Sequence, residues 1–459
     1  MVKTEQAIIA LRECLGDRTS IAAAVRQQHC STLTWLACEA PDIVVWPQTV
    51  GEVQSIVKIA LQYQLPLIAY GAGTSLEGQV NAPFGGISVD FSRMNHIWEV
   101  NVHDHDVTLE PGVTLQQLNY ALRDTGLFFP VDPGSDSATL GGMASTRASG
   151  TTTVKYGAMR ENVLRAKIVL ADGQVIQTGS RAKKSSAGYD LTRLIVGSEG
   201  TLGLIVGLTL RLFPRPETVL SSVYSFPNLK AAAETTLNSF QIGLLPSRIE
   251  LLDSVMLEVI NTQSKTEFPK DGPALFVEFE GTEKATEEHH ELFQDMALRH
   301  GAKQLLAAHA EQERKLLWKA RHDCFWSVRS FWPQHSFVVT DVCVPLSKLW
   351  DCLSETMADI SAHQLTAPLL GHIGDGNFHC IVVVNPQDKR ERERLESFLA
   401  NLAQRAIAME GTCTGEHGIG QGKVRYLVEE AGGGVGVMQA LKKALDPHNI
   451  FNPGKIFFS

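Results

Sequence analysis

The feature that most constrains the fold is a strand–helix–strand pattern that opens into a glycine-rich segment. DIVVWPQ and LPLIAYGAG have the apolar character of buried strands. Thr49 and Glu52 form a T-x-x-E capping box at the start of the helix predicted between them. The second strand leads directly into GAGTSLEGQVNAPFGG, so a flexible backbone loop is predicted at the end of a buried strand.

This first glycine loop does not match either of two common phosphate-binding motifs. Gln79 and Val80 occupy the Lys and Ser/Thr positions of a P-loop. GGISVDFSRM, which follows, is predicted to be a strand, so a Rossmann helix N-terminus is missing. The closely spaced amides are predicted to surround phosphates as a nest, and a plain surface loop is the alternative.

A second segment of small residues, VDPGSDSATLGGMASTRASGTTTVKYG, follows a helix that Thr114 and Gln117 are predicted to cap. We expect a long structureless loop here, which would let backbone approach a large ligand closely. Next, VLRAKIVLADGQVIQTG predicts a hairpin with Asp172-Gly173 at its turn. LIVGSEGTLGLIVGLTLRLFPRP predicts a further glycine-punctuated strand pair. Two ligand-binding loops on one β-rich scaffold are therefore expected.

Length and charge narrow the class of protein. At 459 residues the chain exceeds a single core, and a net charge of −9 argues against nucleic acid as a partner. No apolar run reaches the length of a membrane span, and the first residues predict a helix rather than a signal peptide. A cytoplasmic location is expected, with peripheral membrane contact left open. The eight cysteines form no CxxC pair, so no iron–sulfur cluster is predicted. The cysteines are expected to be buried thiols.

The pattern changes near residue 216, where helical stretches begin to alternate with strands such as ALFVEFEG. The predicted organisation is an N-terminal helical segment (1–40), a ligand-binding domain (41–215), an α+β domain (216–415) and a C-terminal segment (416–459) that returns to the first domain.

Two glycine-rich turns, HIGDGNFHC and GTCTGEHGIG, carry the residues most suited to catalysis. His372 and His379 flank one turn, and Glu416 with His417 lies in the other. Two imidazoles and a carboxylate suit a half-open divalent metal site, for which Zn²⁺, Mn²⁺ and Fe²⁺ are candidates. A structural histidine pair and a hydrolytic zinc site are the alternatives. The hydrolytic zinc site lacks the HExxH motif, and it would leave the glycine loops unexplained.

PGVTLQQL, PVDPGSDSATLGGMASTRASG, GSEGTLGLI and FNPGKIF resemble the flavin domain of the vanillyl-alcohol-oxidase/PCMH type. From about residue 40 the chain is similar to the FAD-linked D-2-hydroxyacid dehydrogenases. The resemblance implies an α+β fold class, with a two-subdomain FAD-binding domain and an α+β substrate-capping domain. FAD is expected to be non-covalent, because these loops hold no histidine or cysteine.

The resemblance also implies roles for individual residues. The FAD contacts are expected at Gly71, Gly73, Thr74, Ser75, Gly78, Pro133, Gly134, Ser135, Gly141, Gly142, Ser145, Gly150, Glu199, Gly200, Thr201, Ile205 and Asn452. His372, His379 and Glu416 take the metal-ligand roles, and His417 is assigned as the base that accepts the substrate hydroxyl proton while hydride passes to flavin N5.

Substrate contacts are expected from Arg321, Asn377 and Thr340. Arg321 would bind the carboxylate, with a solvated helix-face arginine as the alternative. Related D-2-hydroxyglutarate dehydrogenases have a lysine where this chain has Thr340, so a small monocarboxylate, D-lactate above all, is favoured. The alternative is the flavin subunit of a glycolate oxidase complex. The electron acceptor, whether a quinone, a cytochrome or an electron-transfer flavoprotein, is not indicated.

Overall fold

The computed structural model describes residues 2–30, 34–264, 266–385 and 387–457. Its helices are α1 Val2–Leu15, α2 Ala23–Gln28, α3 Val50–Tyr63, α4 Leu115–Ala121, α5 Leu140–Thr146, α6 Thr153–Tyr156, α7 Met159–Asn162, α8 Leu191–Ile195, α9 Leu229–Gln241, α10 Ser254–Ser264, α11 Glu283–Arg299, α12 Glu311–His322, α13 Cys324–Phe331, α14 Leu349–Ala362, α15 Lys389–Ala408, α16 Val424–Ala431 and α17 Gly434–Leu445. Within the described residues, none of these helices is long and apolar enough to cross a bilayer.

The strands are β1 Thr19–Ser20, β2 Ile43–Val45, β3 Leu67–Tyr70, β4 Ile87–Asp90, β5 Ile97–Asn101, β6 Asp106–Leu109, β7 Leu127–Phe128, β8 Val163–Val169, β9 Val175–Gln177, β10 Leu204–Arg211, β11 Phe213–Pro214, β12 Thr218–Ser225, β13 Arg248–Leu252, β14 Ala274–Gly281, β15 Lys303–Ala308, β16 Ser336–Val339, β17 Val342–Cys343, β18 Leu369–Gly371 and β19 Asn377–Val384. Short 3₁₀ helices cover Phe91–Arg93, Leu346–Lys348 and Ile373–Asp375.

The chain forms two compact units. The first comprises Met1–Ser149, Gly157–Arg215 and Glu416–Ser459, and the second comprises Gly150–Tyr156 and Pro216–Gly415. The first unit contains a four-stranded sheet, β1-β2-β4-β3, in which β2, β4 and β3 are parallel. It also contains a five-stranded antiparallel sheet, β5-β6-β10-β8-β9. The second unit is built on an eight-stranded antiparallel sheet, with β15-β12-β14-β13-β18-β19-β16 in order and β17 paired to β19. Helices and sheets are mixed in both units, as the predicted α+β class requires.

Local signals placed helices α3 and α4 of the first unit correctly. The Thr49 side chain accepts a hydrogen bond from the Glu52 amide, and the Glu52 side chain accepts one from the Thr49 amide. The capping box of α3 is therefore confirmed. Thr114 and Gln117 form the same box at α4. The predicted hairpin at Asp172 is also confirmed as β8 and β9. These signals succeed because each depends on residues three or four apart.

Two predictions for the segments between residues 131 and 216 are wrong. The long segment of small residues is not structureless, because it contains α5 and α6. Thr139 caps α5 by accepting the Gly142 amide, and a Cβ at Gly141 would lie 2.5 Å from the Cβ of Pro111, so small residues here serve close packing. LIVGSEGTLGLIVGLTLRLFPRP is not a strand pair, because it begins inside helix α8 and only β10 and the two-residue β11 are strands.

The prediction that all cysteines are buried thiols is also wrong. Cys30 and Cys38 form a disulfide. Of the remaining six, Cys14 and Cys343 are partly exposed, whereas Cys324, Cys352, Cys380 and Cys413 are buried thiols. The disulfide closes a short loop of the first unit, which spacing alone did not predict because the pair lacks a CxxC arrangement.

The second unit's core lies where helices α10, α12 and α13 pack on its sheet, with Trp318, Phe276 and Leu257 among the buried side chains. The predicted strands of ALFVEFEG and HCIVVVN correspond to β14 and β19. β19 begins at Asn377, so His379 is its third residue rather than its first.

One buried carboxyl in this unit should make stability depend on pH. Asp253 caps α10 by accepting the Met256 amide at 2.7 Å, and burial raises its pKa to about 7. A raised folded-state pKa favours the folded state at low pH, and this stabilisation is lost as the pH rises through about 7. Asp253→Asn keeps the cap and removes the titration. Between pH 5.5 and 8.5 we expect the variant to gain on the order of 2 kcal/mol over wild type, or about 4–8 °C in Tm.

The measurement is thermal unfolding of both proteins at the two pH values. Asp271→Asn, which changes an exposed carboxylate of the same unit, is the control and should show a constant offset. A Tm difference for Asp253→Asn that is equal at both pH values would contradict the prediction.

Candidate active site

The first unit contains a cavity bordered by both glycine-rich segments. Residues 69–76 form one side, and residues from 133 to 149 form another. The predicted FAD contacts that line it are Gly71, Gly73, Thr74, Ser75, Pro133, Ser135, Gly141, Gly142, Ser145, Glu199, Gly200, Ile205 and Asn452. Gly78, Gly134, Gly150 and Thr201 are not among its lining residues, and Gly150 belongs to the second unit.

The chemistry of this cavity suits a large ligand with phosphates. Gly73 lines the cavity and has φ +67°, a conformation that a side chain would strain. The buried Ser75 Oγ has no hydrogen-bond partner among the described residues. An unsatisfied buried hydroxyl is costly and calls for a ligand atom. The residues present therefore fit the pyrophosphate of a dinucleotide such as FAD.

Glu199 lines the cavity and is held by its backbone conformation and by several hydrogen bonds. It adopts a left-handed conformation at φ +52°, and its carboxylate accepts the backbone amides of Ile419 and Gly420 at 2.7 and 2.8 Å. Burial raises its pKa to about 7, and burial lowers the pKa of nearby Lys455 to about 8. Asn452 donates to the carbonyl of Glu199 at 2.7 Å. Glu199 thus holds the 417–420 loop against the cavity.

The loop that carries Glu416 and His417 lines the same cavity. Gln79 Nε2 donates to the carbonyl of His417 at 2.7 Å, and Ser149 Oγ donates to Glu416 Oε2 at 2.8 Å. A Cβ at Gly418 would lie 2.7 Å from Glu199 Oε1, which explains the glycine there. Sequence reasoning used Gln79 only to exclude a P-loop and missed this role in holding the loop.

The two histidines of the second unit lie together. The ring centroids of His372 and His379 are 5.5 Å apart, and both residues are buried. His372 Nδ1 donates to Glu250 Oε1 at 2.6 Å, and His379 Nδ1 donates to the carbonyl of Thr340 at 2.9 Å. Each Nδ1 is therefore the protonated nitrogen, which makes Nε2 the ligand atom of both rings.

Arg321 is buried on α12, so the alternative of a solvated arginine is wrong. Its Nε and Nη2 both donate to Glu250 Oε2, at 2.9 and 2.6 Å. Burial opposes the ionisation of Glu250, but its interactions with His372 and Arg321 outweigh burial and hold the pKa of Glu250 below its ordinary value. One carboxylate, which sequence reasoning missed, thus joins a predicted metal ligand to the predicted substrate-binding arginine.

A second missed carboxylate supports the other predicted residues. Asp341 Oδ1 accepts from Asn377 Nδ2 at 2.8 Å, and its Oδ2 accepts from Thr414 Oγ1 at 2.8 Å. Asp341 Oδ1 also lies 3.7 Å from His379 Nδ1. Thr340 Oγ1 accepts the Cys380 amide at 2.8 Å. Asn377, His379 and Thr340 therefore belong to one buried polar network.

Four aromatic residues on α13 and at its C-terminal end divide into two groups. Phe325, Phe331 and Trp332 pack against the core of the second unit, while Trp326 is 55% exposed. Plain packing accounts for the first three, and the exposed Trp326 forms no wall of a buried site.

Family models match both halves of the chain. The model described as "FAD binding domain" matches residues 41–179, and "FAD linked oxidases, C-terminal domain" matches residues 215–456. The fold and the cavity thus define an FAD-binding oxidoreductase. The chain belongs to the family of FAD-linked oxidases, which confirms the predicted flavin cofactor class.

Curated relatives narrow the family further. "Probable D-lactate dehydrogenase, mitochondrial" of Danio rerio is 46% identical over 457 residues, covering 98% of this chain and 92% of the relative. "D-lactate dehydrogenase [cytochrome], mitochondrial" of Arabidopsis thaliana is 43% identical, covering 92% and 74%. "Glycolate oxidase subunit GlcD" of Bacillus subtilis is 35% identical, covering 91% and 89%. The predicted relationship to FAD-linked 2-hydroxyacid dehydrogenases is confirmed.

Solved structures agree on the fold. 4-ethylphenol oxidase from Gulosibacter chungangensis superimposes with a TM-score of 0.82 at 20% identity, covering 100% of this chain and 97% of that one. p-Cresol methylhydroxylase gives a TM-score of 0.81 at 16% identity, covering 100% and 98%. The predicted vanillyl-alcohol-oxidase/PCMH-type flavin fold is confirmed.

Proposed function

We propose that this protein oxidises a small D-2-hydroxy acid, D-lactate above all, to the 2-oxo acid with non-covalent FAD and a divalent metal. The observation that carries the proposal is that His417 lines the same cavity as the two flavin-type loops. A titratable imidazole beside a flavin site is suited to accept the hydroxyl proton. The relatives at 46% and 43% identity are both named as D-lactate dehydrogenases, which supports D-lactate as the substrate.

Bound FAD would supply the hydride acceptor for the substrate α-carbon, and a divalent cation would supply the Lewis acid that lowers the pKa of the α-hydroxyl. The chain's own residues then have separate tasks. His417 accepts the hydroxyl proton, and Glu199 and Gln79 keep its loop in place through backbone contacts. An external acceptor, a quinone, a cytochrome or an electron-transfer flavoprotein, must reoxidise the enzyme.

The metal proposal rests on the donor set. His372 and His379 each hold Nδ1 in a hydrogen bond, which orients Nε2 as a ligand. Imidazoles supported in this way by a carboxylate or a backbone carbonyl are typical of metal sites. The sequence motif adds Glu416 as the third ligand. Zn²⁺, Mn²⁺ and Fe²⁺ all suit two imidazoles and a carboxylate.

Arg321 is proposed to bind the substrate carboxylate. Two hydrogen bonds from its Nε and Nη2 to Glu250 fix the plane in which the guanidinium would meet that carboxylate. Asn377 Oδ1 is buried and accepts no hydrogen bond from the described part of the chain, so it is proposed to accept one from the substrate.

The test is the visible spectrum of the purified protein, recorded before and after anaerobic addition of D-lactate. We expect flavin bands that bleach with D-lactate and persist with L-lactate. Flavin bands that persist with D-lactate but bleach with glycolate would favour glycolate as the substrate, the alternative suggested by the GlcD relative. A colourless protein that takes up no added FAD would contradict the proposal altogether.

The choice of a monocarboxylate is tested by Thr340→Lys. A lysine supplies a cation for a second carboxylate, so we expect the ratio of kcat/KM for D-2-hydroxyglutarate over D-lactate to rise at least tenfold, about 1.4 kcal/mol of discrimination. Loss of the hydroxyl that accepts the Cys380 amide should cost about 1 kcal/mol of stability. Steady-state kinetics with both acids is the measurement.

Thr340→Met is the matched control, because it has similar length and loses the same hydroxyl without adding charge. An equal ratio in the lysine and methionine variants would show that Thr340 does not determine specificity.

A further inference from the structure

Glu250, a charged residue of the second unit, is fully buried. It lies in β13 between the buried Ile249 and Leu251, and its side chain is 0% exposed. Its Oε2 accepts from Arg321 Nε and Nη2, and its Oε1 accepts from His372 Nδ1. One carboxylate oxygen of Glu250 thus binds the predicted substrate-binding Arg321, and the other binds the predicted metal ligand His372.

Stability alone does not explain this arrangement. A buried ion triad usually contributes little net stability, because desolvation offsets the Coulombic attraction, and apolar side chains of similar volume do as well or better. β13 is otherwise an apolar strand at this point, so an aliphatic residue would suit its packing. What a carboxylate adds is orientation, since two of its bonds fix the guanidinium plane and one fixes the imidazole tautomer.

We propose that Glu250 is a positioning residue that couples the metal site to the substrate-carboxylate site. Through Oε1 it holds His372 with Nε2 as the ligand atom, and through Oε2 it fixes the plane of the Arg321 guanidinium. A displacement on one side of Glu250 is passed to the other, so metal affinity and substrate affinity depend on the same side chain. This inference rests on the proposed function.

The experiment uses the full-length FAD-containing protein and two variants. Glu250→Gln keeps the volume, but its amide NH₂ cannot accept, so one of the two contacts is lost. Glu250→Asp keeps the charge that compensates the buried Arg321, but it is one methylene shorter and cannot span both partners. We expect the dissociation constant for Mn²⁺, measured by chelator competition, to rise about 10- to 100-fold. We expect KM for D-lactate to rise about tenfold while FAD content stays at the wild-type value.

Glu278→Gln is the matched control. Glu278 is a buried carboxylate on the neighbouring strand β14, where it accepts from Trp318 and Ser221 rather than from either functional candidate. In Glu278→Gln, the dissociation constant for Mn²⁺ and the KM for D-lactate should stay within twofold of wild type. Circular dichroism checks the fold of every variant. If Glu250→Gln does not fold, the charge-retaining Glu250→Asp decides the question.

The outcomes separate the inference from the function on which it rests. Wild-type protein that binds Mn²⁺ and oxidises D-lactate, with Glu250 variants that match Glu278→Gln, would overturn the inference alone. Wild-type protein that neither binds Mn²⁺ nor oxidises a 2-hydroxy acid would overturn both. A rise in the Mn²⁺ dissociation constant without any rise in KM would overturn the coupling.

Discussion

His417→Ala is expected to slow the reduction of bound FAD by D-lactate about 100- to 10,000-fold, the usual contribution of a positioned base. The expected cause is loss of proton acceptance rather than loss of the loop. The contacts of the loop with Gln79 and Glu199 use its backbone, and they do not require the imidazole. FAD content should therefore stay at the wild-type value. Anaerobic stopped-flow absorbance at the flavin band is the measurement.

His103→Ala is the control for this substitution, because His103 is an exposed histidine of the same unit. FAD bound to the His103→Ala variant should be reduced by D-lactate at the wild-type rate. A near-normal rate for His417→Ala would remove His417 from the role of base and leave the proton to another acceptor.

His372→Ala should lower the bound divalent metal well below one ion per FAD and reduce D-lactate oxidation by at least 100-fold. The reason is the loss of one of two buried imidazoles that present Nε2. The fold should survive, because Glu250 keeps its double contact with Arg321. Elemental analysis against flavin absorbance gives the stoichiometry.

The matched control is His309→Ala, an exposed histidine of the second unit. It should retain the wild-type metal content. Unchanged stoichiometry in His372→Ala would show that His372 is not a ligand, and the structural histidine pair considered from the sequence would then be the better interpretation.

The parts of the fold that sequence predicted well depend on short-range signals. Both capping boxes and the Asp172 turn involve residues a few positions apart. The long segment of small residues was mispredicted, because its helix α5 is supported by contact with Pro111, a residue distant in sequence. Composition indicated close approach correctly, but it attributed all of that closeness to a ligand rather than partly to packing.

The candidate site shows the same division. His372 and His379 could be paired from a single motif, whereas Glu250 lies 122 residues from His372 and enters the site only through sheet pairing. One signal was available. A glutamate between buried aliphatic residues in RIELL is rarely left unpaired, so its presence predicts a buried cationic partner.

The order in which the first unit is assembled from the chain bears on its biosynthesis. Phe451 bridges to Leu67 of β3, and Asn452 donates to the carbonyls of Gln79 and Glu199. These late residues follow the roughly 200 residues of Pro216–Gly415, which a ribosome takes about 10–40 s to make. During that interval the nascent flavin unit lacks a piece of its core, while the second unit can complete its own sheet. Chaperone protection of the emerging N-terminal half is therefore expected to matter more than protection of the finished chain.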